Sequence, residues 1–176
     1  MLAIAAVVSL SLAVFFTLWR LENQSAKASF EIVAQERFDA LQTNVTLTLN
    51  SLVSLGAFFD GSVEVERDEF ARFTKDLLAR DNAIQALEWV PRTPKRLRTD
   101  RENSAHGDGF TSFSFTERLP QGQLARAGDR EEYFPVFFVA PLKGNEKALG
   151  FDLASDPVRN ASLRGAAATG DLVAAA

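Results

Sequence analysis

The sequence predicts an α+β fold, with a long N-terminal helix followed by mixed short helices and strands. Three observations predict it. Residues 1–19 hold no Lys, Arg, Asp or Glu, and Gln24–Phe59 then carries apolar residues at three- and four-residue steps. Tyr133–Pro157 reads as a strand, a tight polar turn, a returning strand and a helix start. Phe110–Arg118 sets Phe113 and Phe115 against Ser112, Ser114 and Thr116, the alternation of a half-buried strand.

Leu2–Trp19 is interrupted only by Ser9, Ser11 and Thr17. As a helix it spans about 27 Å, near the hydrocarbon thickness of a bilayer. The pattern predicts a transmembrane helix over 2–19, with Trp19-Arg20 at its interface end. A cleaved signal peptide is the competing reading, with Ala26-Lys27-Ala28 as a loose cleavage site. It lacks a basic leader, and the apolar run is too long for it. Arg20, Lys27 and Arg37 are matched by Glu22, Glu31 and Glu36, so charge sets no orientation.

Residues 20–59 are predicted as a stalk helix. Phe30, Ala34, Phe38, Leu41, Val45, Leu49, Leu52 and Leu55 fall on one face. Continuous, Gln24–Phe59 extends about 54 Å and merges with the membrane helix. Its apolar face has three possible partners: its own domain, a second copy, or both. A homodimer through this helix is expected. Asp60-Gly61-Ser62 ends it.

Residues 60–176 form the third predicted unit. Glu66–Arg80 is a helix, with Glu66, Asp68 and Glu69 at its first turn and Phe70, Phe73, Leu77 and Leu78 as its buried stripe. Asp81-Asn82 closes it. Ile84–Val90 is a strand stopped by Pro91. Lys95–Arg101 reads as a short basic helix with a solvated face. His106 is placed in an exposed loop, Ser104–Gly109. Leu119–Glu132 reads as a polar loop. Tyr133–Leu142 is a buried strand, Gly144-Asn145 supplies the turn, and Ala148–Leu153 returns as its partner. Asp156 caps a helix with Pro157 at its first position, and Gly170 stands where a C-terminal cap belongs.

The chemistry that composition excludes is broad. The chain has 176 residues, 47% hydrophobic and 24% charged, with a net charge of −4, so nucleic acid is not an expected partner. There is no cysteine, and His106 is the one histidine, which leaves no thiolate site and no ordinary zinc site or histidine triad. No phosphate loop, nucleophile elbow or metal-ligand cluster is present, so neither enzyme activity nor a cofactor is expected. Asp152 is the carboxylate of most interest, because it lies inside an apolar strand. It reads either as a structural aspartate bonded to backbone or an arginine, or as a ligand contact. Tyr133, Pro135, Phe137 and Val139 share one strand face, with Phe134, Val136 and Phe138 on the other. Both faces need cover, either packed core or a small-molecule cavity.

DREEYFPVFFVAPLKGNEKALGFDLASDPVR resembles the core of a CHASE domain, the extracytoplasmic sensory module of bacterial histidine kinases and nucleotide cyclases. FARFTKDLLARDNAIQALEWVPR resembles the preceding part of that domain, in the family's order and spacing. The resemblance covers roughly Glu64 to Gly170. It implies a PAS-like sensor with a mainly antiparallel sheet, held outside the cell inner membrane in the periplasm or extracellular space. The sensor would bind an unknown small molecule and relay it through the stalk to a cytoplasmic kinase or cyclase. Trp89, Tyr133, Pro135, Phe137, Asp152 and Thr169 are the expected ligand contacts. Members of the family continue into a further strand and a second membrane helix, so a C-terminally incomplete domain is expected. Plant members bind cytokinins through an aspartate soon after the matching strand; here that neighbourhood is Pro141-Leu142-Lys143, and no particular ligand follows. A ligand-free dimerising spacer is the alternative function. A hydrolase of envelope material is a third, opposed by the missing catalytic groups.

Overall fold

The computed structural model describes residues 2–175, with side chains from residue 14 onward except at 21, 23–26, 28 and 29. The chain is α+β, with four helices and three two-stranded antiparallel sheets among the described residues. It divides into two compact units, Met1–Thr46 and Leu47–Ala176. The first is helix throughout its described part. Here Phe30, Phe38, Leu41 and Val45 are all exposed, so the apolar stripe legible in the sequence is uncovered within this unit. The expected membrane span, 2–19, falls mainly on side chains outside the described residues. Among the described residues no helix is long and apolar enough to cross a membrane.

Helix α1 runs Leu2–Asp60 as one element and ends where Asp60-Gly61-Ser62 was expected to stop it. Its last turns belong to the second unit. Leu55 is buried there, and Phe58 and Phe59 pack against the core. Phe58 stacks on Phe73 at 4.3 Å between ring centroids, and Phe59 on Trp89 at 3.8 Å. Thr48 Oγ1 donates a 2.6 Å hydrogen bond to Asp81 Oδ2, tying α1 to the end of α2.

Helix α2, Arg67–Arg80, begins as its acidic first turn predicts. Glu69 Oε2 accepts from the Glu66 amide at 3.2 Å, as in a capping box. Phe70 and Thr74 are its most buried residues, and the Thr74 hydroxyl is satisfied by the Phe70 carbonyl. Strand β1, Leu87–Trp89, pairs with β6, Phe138–Ala140; β2, Thr93–Pro94, with β5, Glu132–Tyr133; and β3, Thr116–Arg118, with β4, Leu124–Arg126. Helix α3 is Arg98–Gly107. Helix α4, Pro157–Thr169, is capped by Asp156, whose Oδ1 accepts from Val158 and Arg159 amides, and it ends on Gly170 with φ +75°.

Four local expectations are corrected. Ala148–Leu153 is not a full partner strand: Glu146–Ala148 is a 3-10 turn, and the return contact is a single Pro135–Asp152 bridge. Pro135 has no N–H to donate, so the ladder cannot run on. The register survives in three bonds, Val136 N to Phe151 O, Gly150 N to Val136 O and Leu153 N to Phe134 O. The main partner of this strand is β1. The polar loop 119–132 contains β4 and the start of β5. His106 sits in the last turn of α3, exposed as expected, with Nε2 2.8 Å from Phe113 O. The basic run is solvated at Lys95 and Arg96, but Arg98 is turned inward. Arg98 Nη1 donates to Ala127 O and to Tyr133 Oη, and Lys95 pairs with Asp129.

Candidate functional site

The stretch Tyr133–Ala140 is buried at every position. Helix α2 packs on β6, β1 pairs beside it, and the 150–153 segment hydrogen-bonds along the edge of residues 134–136. Within that layer Tyr133 is 0% exposed; its hydroxyl accepts from Arg130 N and Arg98 Nη1 and donates to Gly128 O. Asp152 is also 0% exposed. Its Oδ1 accepts from the Phe134 amide at 2.8 Å and the Ala154 amide at 3.2 Å, and its Oδ2 accepts from Arg130 Nη1 at 3.1 Å. Burial pushes its pKa up, against the pull of the Phe134 amide and Arg130. Arg130 also grips Glu117.

Burial raises Glu88 on β1 as well, against the pull of Arg159, while four other carboxylates shift down. Burial raises Glu102, but the Phe115 amide and Arg98 outweigh it and hold the group below the usual carboxylate range. Arg130 depresses Glu117, and Arg92 depresses Glu132. A carboxylate depressed in the folded state adds stability above its unfolded pKa of about 4.3 and loses it as pH falls through the folded value. Asp152, raised, works against this trend. With Glu102, Glu117, Glu132 and Glu146 lowered against Asp152 and Glu88 raised, the urea midpoint is expected to drop between about pH 5 and pH 3. Urea titrations at several pH values check it; a midpoint that stays level or rises contradicts this balance.

Two hollows open on the α2 side of the sheet. The larger is a cleft of about 1060 Å³, lined by Phe59, Val65, Trp89, Phe137 and Phe138, with Asp60, Glu64, Glu66, Asp68, Asp108 and Arg101 contributing its charges. The smaller, about 420 Å³, is mainly apolar: Phe70, Leu78, Phe110 and Val139–Leu142, with Lys75. Arg67 and Ala71 line both. Such volumes and linings suit small-molecule sites.

Arg67 is the organising side chain. It sits in the first turn of α2, its guanidinium carbon 4.2 Å from the Phe110 ring centroid and 4.7 Å from that of Phe138. Nη1 donates to Phe137 O at 2.8 Å and Nε to Asp108 Oδ2 at 3.2 Å. Nη2 is buried with no hydrogen-bond partner among the described residues. Burial lowers the pKa, partly offset by Asp108. The guanidinium nonetheless remains charged. An unmet, buried charged donor costs about 1–3 kcal/mol or more, and its residue lines both hollows.

The structure thus divides the residues expected at a ligand site. Trp89 and Phe137 line the cleft. Tyr133, Pro135 and Asp152 lie in the hydrogen-bonded layer beneath. Thr169 is exposed near the end of α4, with its hydroxyl donating to Gly165 O, and lines neither hollow. Arg67, Lys75 and Phe110 were missed. The available signal was Arg67 itself: a cation among Glu66, Asp68 and Glu69, at the helix end where the dipole disfavours it.

Comparison with known proteins decides the family. The CHASE domain model matches residues 63–176. The chain belongs to the CHASE-domain family. The match covers β1–β6, α2–α4 and both hollows, except for Phe59 and Asp60 of α1 and Ser62 just after it on the cleft wall. The chain is also similar to "Hybrid signal transduction histidine kinase A" of Dictyostelium discoideum, 27% identical over 160 residues. That alignment takes in 88% of this chain but 7% of the relative, so the CHASE-domain chain spans a small part of that protein's length.

Proposed function

We propose that this chain is the ligand-sensing module of a membrane-bound signal-transduction protein. In this reading residues 2–19 anchor it in the cell inner membrane and the PAS-like unit lies in the periplasm or extracellular space. The stalk helix passes a ligand-dependent change to a cytoplasmic kinase or cyclase. The family and the histidine-kinase relative support a signalling role. The observation that carries the sensing role is the pair of hollows joined at Arg67, one of them walled by Phe59 from the last turn of α1. A molecule seated there touches both the sheet and the helix that leaves the domain, and a packed helix shifts as a rigid element by an ångström or two. Signal requires that the ligand bind the two helix positions unequally.

The test uses Trp89, which lines the cleft. In a Trp19→Phe background it is the one tryptophan of the chain. A screen of small metabolites against the full chain in lipid nanodiscs is expected to yield compounds that raise the unfolding temperature and change Trp89 emission saturably. The exposed stripe Phe30, Phe38, Leu41 and Val45 favours a second reading, a dimerising spacer with no ligand. Reversible dimerisation in sedimentation, with no compound altering either signal, selects the spacer.

A further inference from the structure

We propose that the smaller hollow takes a monoanionic carboxylate carried on a compact apolar body. This names the ligand class and rests on the reading of these hollows as a sensing site. The pocket's charged lining is of one sign. Arg67 lies at its inner wall and Lys75 on its rim, and no carboxylate lines it. The remaining lining is hydrocarbon and aromatic, from Phe70 and Phe110 to Pro141 and Leu142. Lys75 is exposed and makes no ion pair among the described residues. It is available to a guest.

Arg67 supplies the stronger half of the recognition. Its Nη2 lacks an acceptor, and it is screened from water where it stands. Presenting it to the pocket requires the guanidinium to turn. Turning breaks the 3.2 Å pair with Asp108, whose side chain is 40% exposed, and the 2.8 Å bond from Nη1 to Phe137 O, which the guest carboxylate must replace. A half-solvated pair of this kind is worth about 1 kcal/mol or less. A carboxylate that satisfies a buried guanidinium gains more, because charge-assisted bonds are the stronger class. The size follows from the volume. At about 30 Å³ per water-sized group, the pocket holds roughly a dozen non-hydrogen atoms. A neutral amide of the same shape offers Arg67 one uncharged acceptor, the weaker bond, and a cationic guest adds repulsion from both lysine and arginine.

The experiment is calorimetric titration of the full chain in nanodiscs, with empty nanodiscs subtracted. The probes are 2-naphthoate, 2-naphthamide and 2-naphthylmethylammonium, which share a ring body and differ in charge. 2-Naphthoate is expected to bind one per chain, about tenfold more tightly than the amide, with no binding of the cation. Lys75→Gln should weaken it by about two- to fivefold, the range of an exposed charge pair. Ala71→Phe, which puts a ring between the two hollows, should abolish it. Both positions are exposed, so unfolding temperatures should remain within a few degrees of wild type and confirm folding. Amide or cation binding as tight as naphthoate overturns the anion assignment and leaves a ligand site standing. Naphthoate binding unmoved by both substitutions overturns the assignment to this pocket. No binding by any of the three overturns the proposal, while the wider sensor reading is decided separately by the Trp89 screen.

Discussion

Gly150→Ala is expected to cost about 2–5 kcal/mol, a large fraction of a domain's net stability of about 5–15 kcal/mol. Gly150 has φ +82°, and a Cβ there would stand 2.3 Å from Ser114 O. The left-handed backbone costs a residue with a Cβ about 1–2 kcal/mol, and forced repacking adds about 1–3. The Ser114 carbonyl cannot retreat freely, because the adjoining strand bonds Thr116 N to Gly150 O and Asp152 N to Thr116 O. Gly144→Ala is the control. Gly144 also has a positive φ, +90°, but open space where its Cβ would go. Urea unfolding followed by Trp89 emission should show a clearly larger loss for Gly150→Ala. Equal losses would mean that the 113–116 segment yields without cost.

Asp152→Ala has the second large effect. It orphans the buried Phe134 amide and removes one of the two carboxylates that hold Arg130. An orphaned buried amide costs about 1–3 kcal/mol, and the loss at Arg130 adds less, because that side chain is 33% exposed and keeps Glu117. Asp152→Asn should recover only part of this. Its oxygen still accepts from the Phe134 and Ala154 amides, but its amide nitrogen then meets Arg130 Nη1 donor to donor. The order of stability, wild type above Asn above Ala, is read from the same urea titrations. An Ala variant as stable as wild type would mean that the carboxylate is not part of the interior bonding.

Long-range order was legible where local chemistry specified it. The end of α1 at Asp60, the Asp156–Pro157 start of α4 and the Gly170 stop depend on one or two residues each, and they stand in the structure as read. The apolar content of Tyr133–Ala140 marked it as interior without ambiguity. Its pairing was less legible. The Gly144-Asn145 turn suggested a return along the same strand, whereas Pro135 blocked the ladder and Leu87–Trp89, far upstream in the sequence, became the main partner. Arg98 looked solvated in a run of basic residues, and it is held by three carbonyl and hydroxyl oxygens that only the fold brings together. The site was half visible. Aromatic residues of β1 and β6 announce an apolar wall, but nothing in the order of residues placed Arg67 over Phe110 and Phe138.

The close packing of Phe58 and Phe59 on Phe73 and Trp89 bears on how the protein is handled at the bench. The family match starts at residue 63, downstream of Leu55, Phe58 and Phe59. A recombinant fragment begun there would strip three hydrophobic wedges from its own interior and bare the Phe73 and Trp89 rings. Such a fragment should clump, whereas one begun near Leu47 keeps the wedges and should stay dispersed.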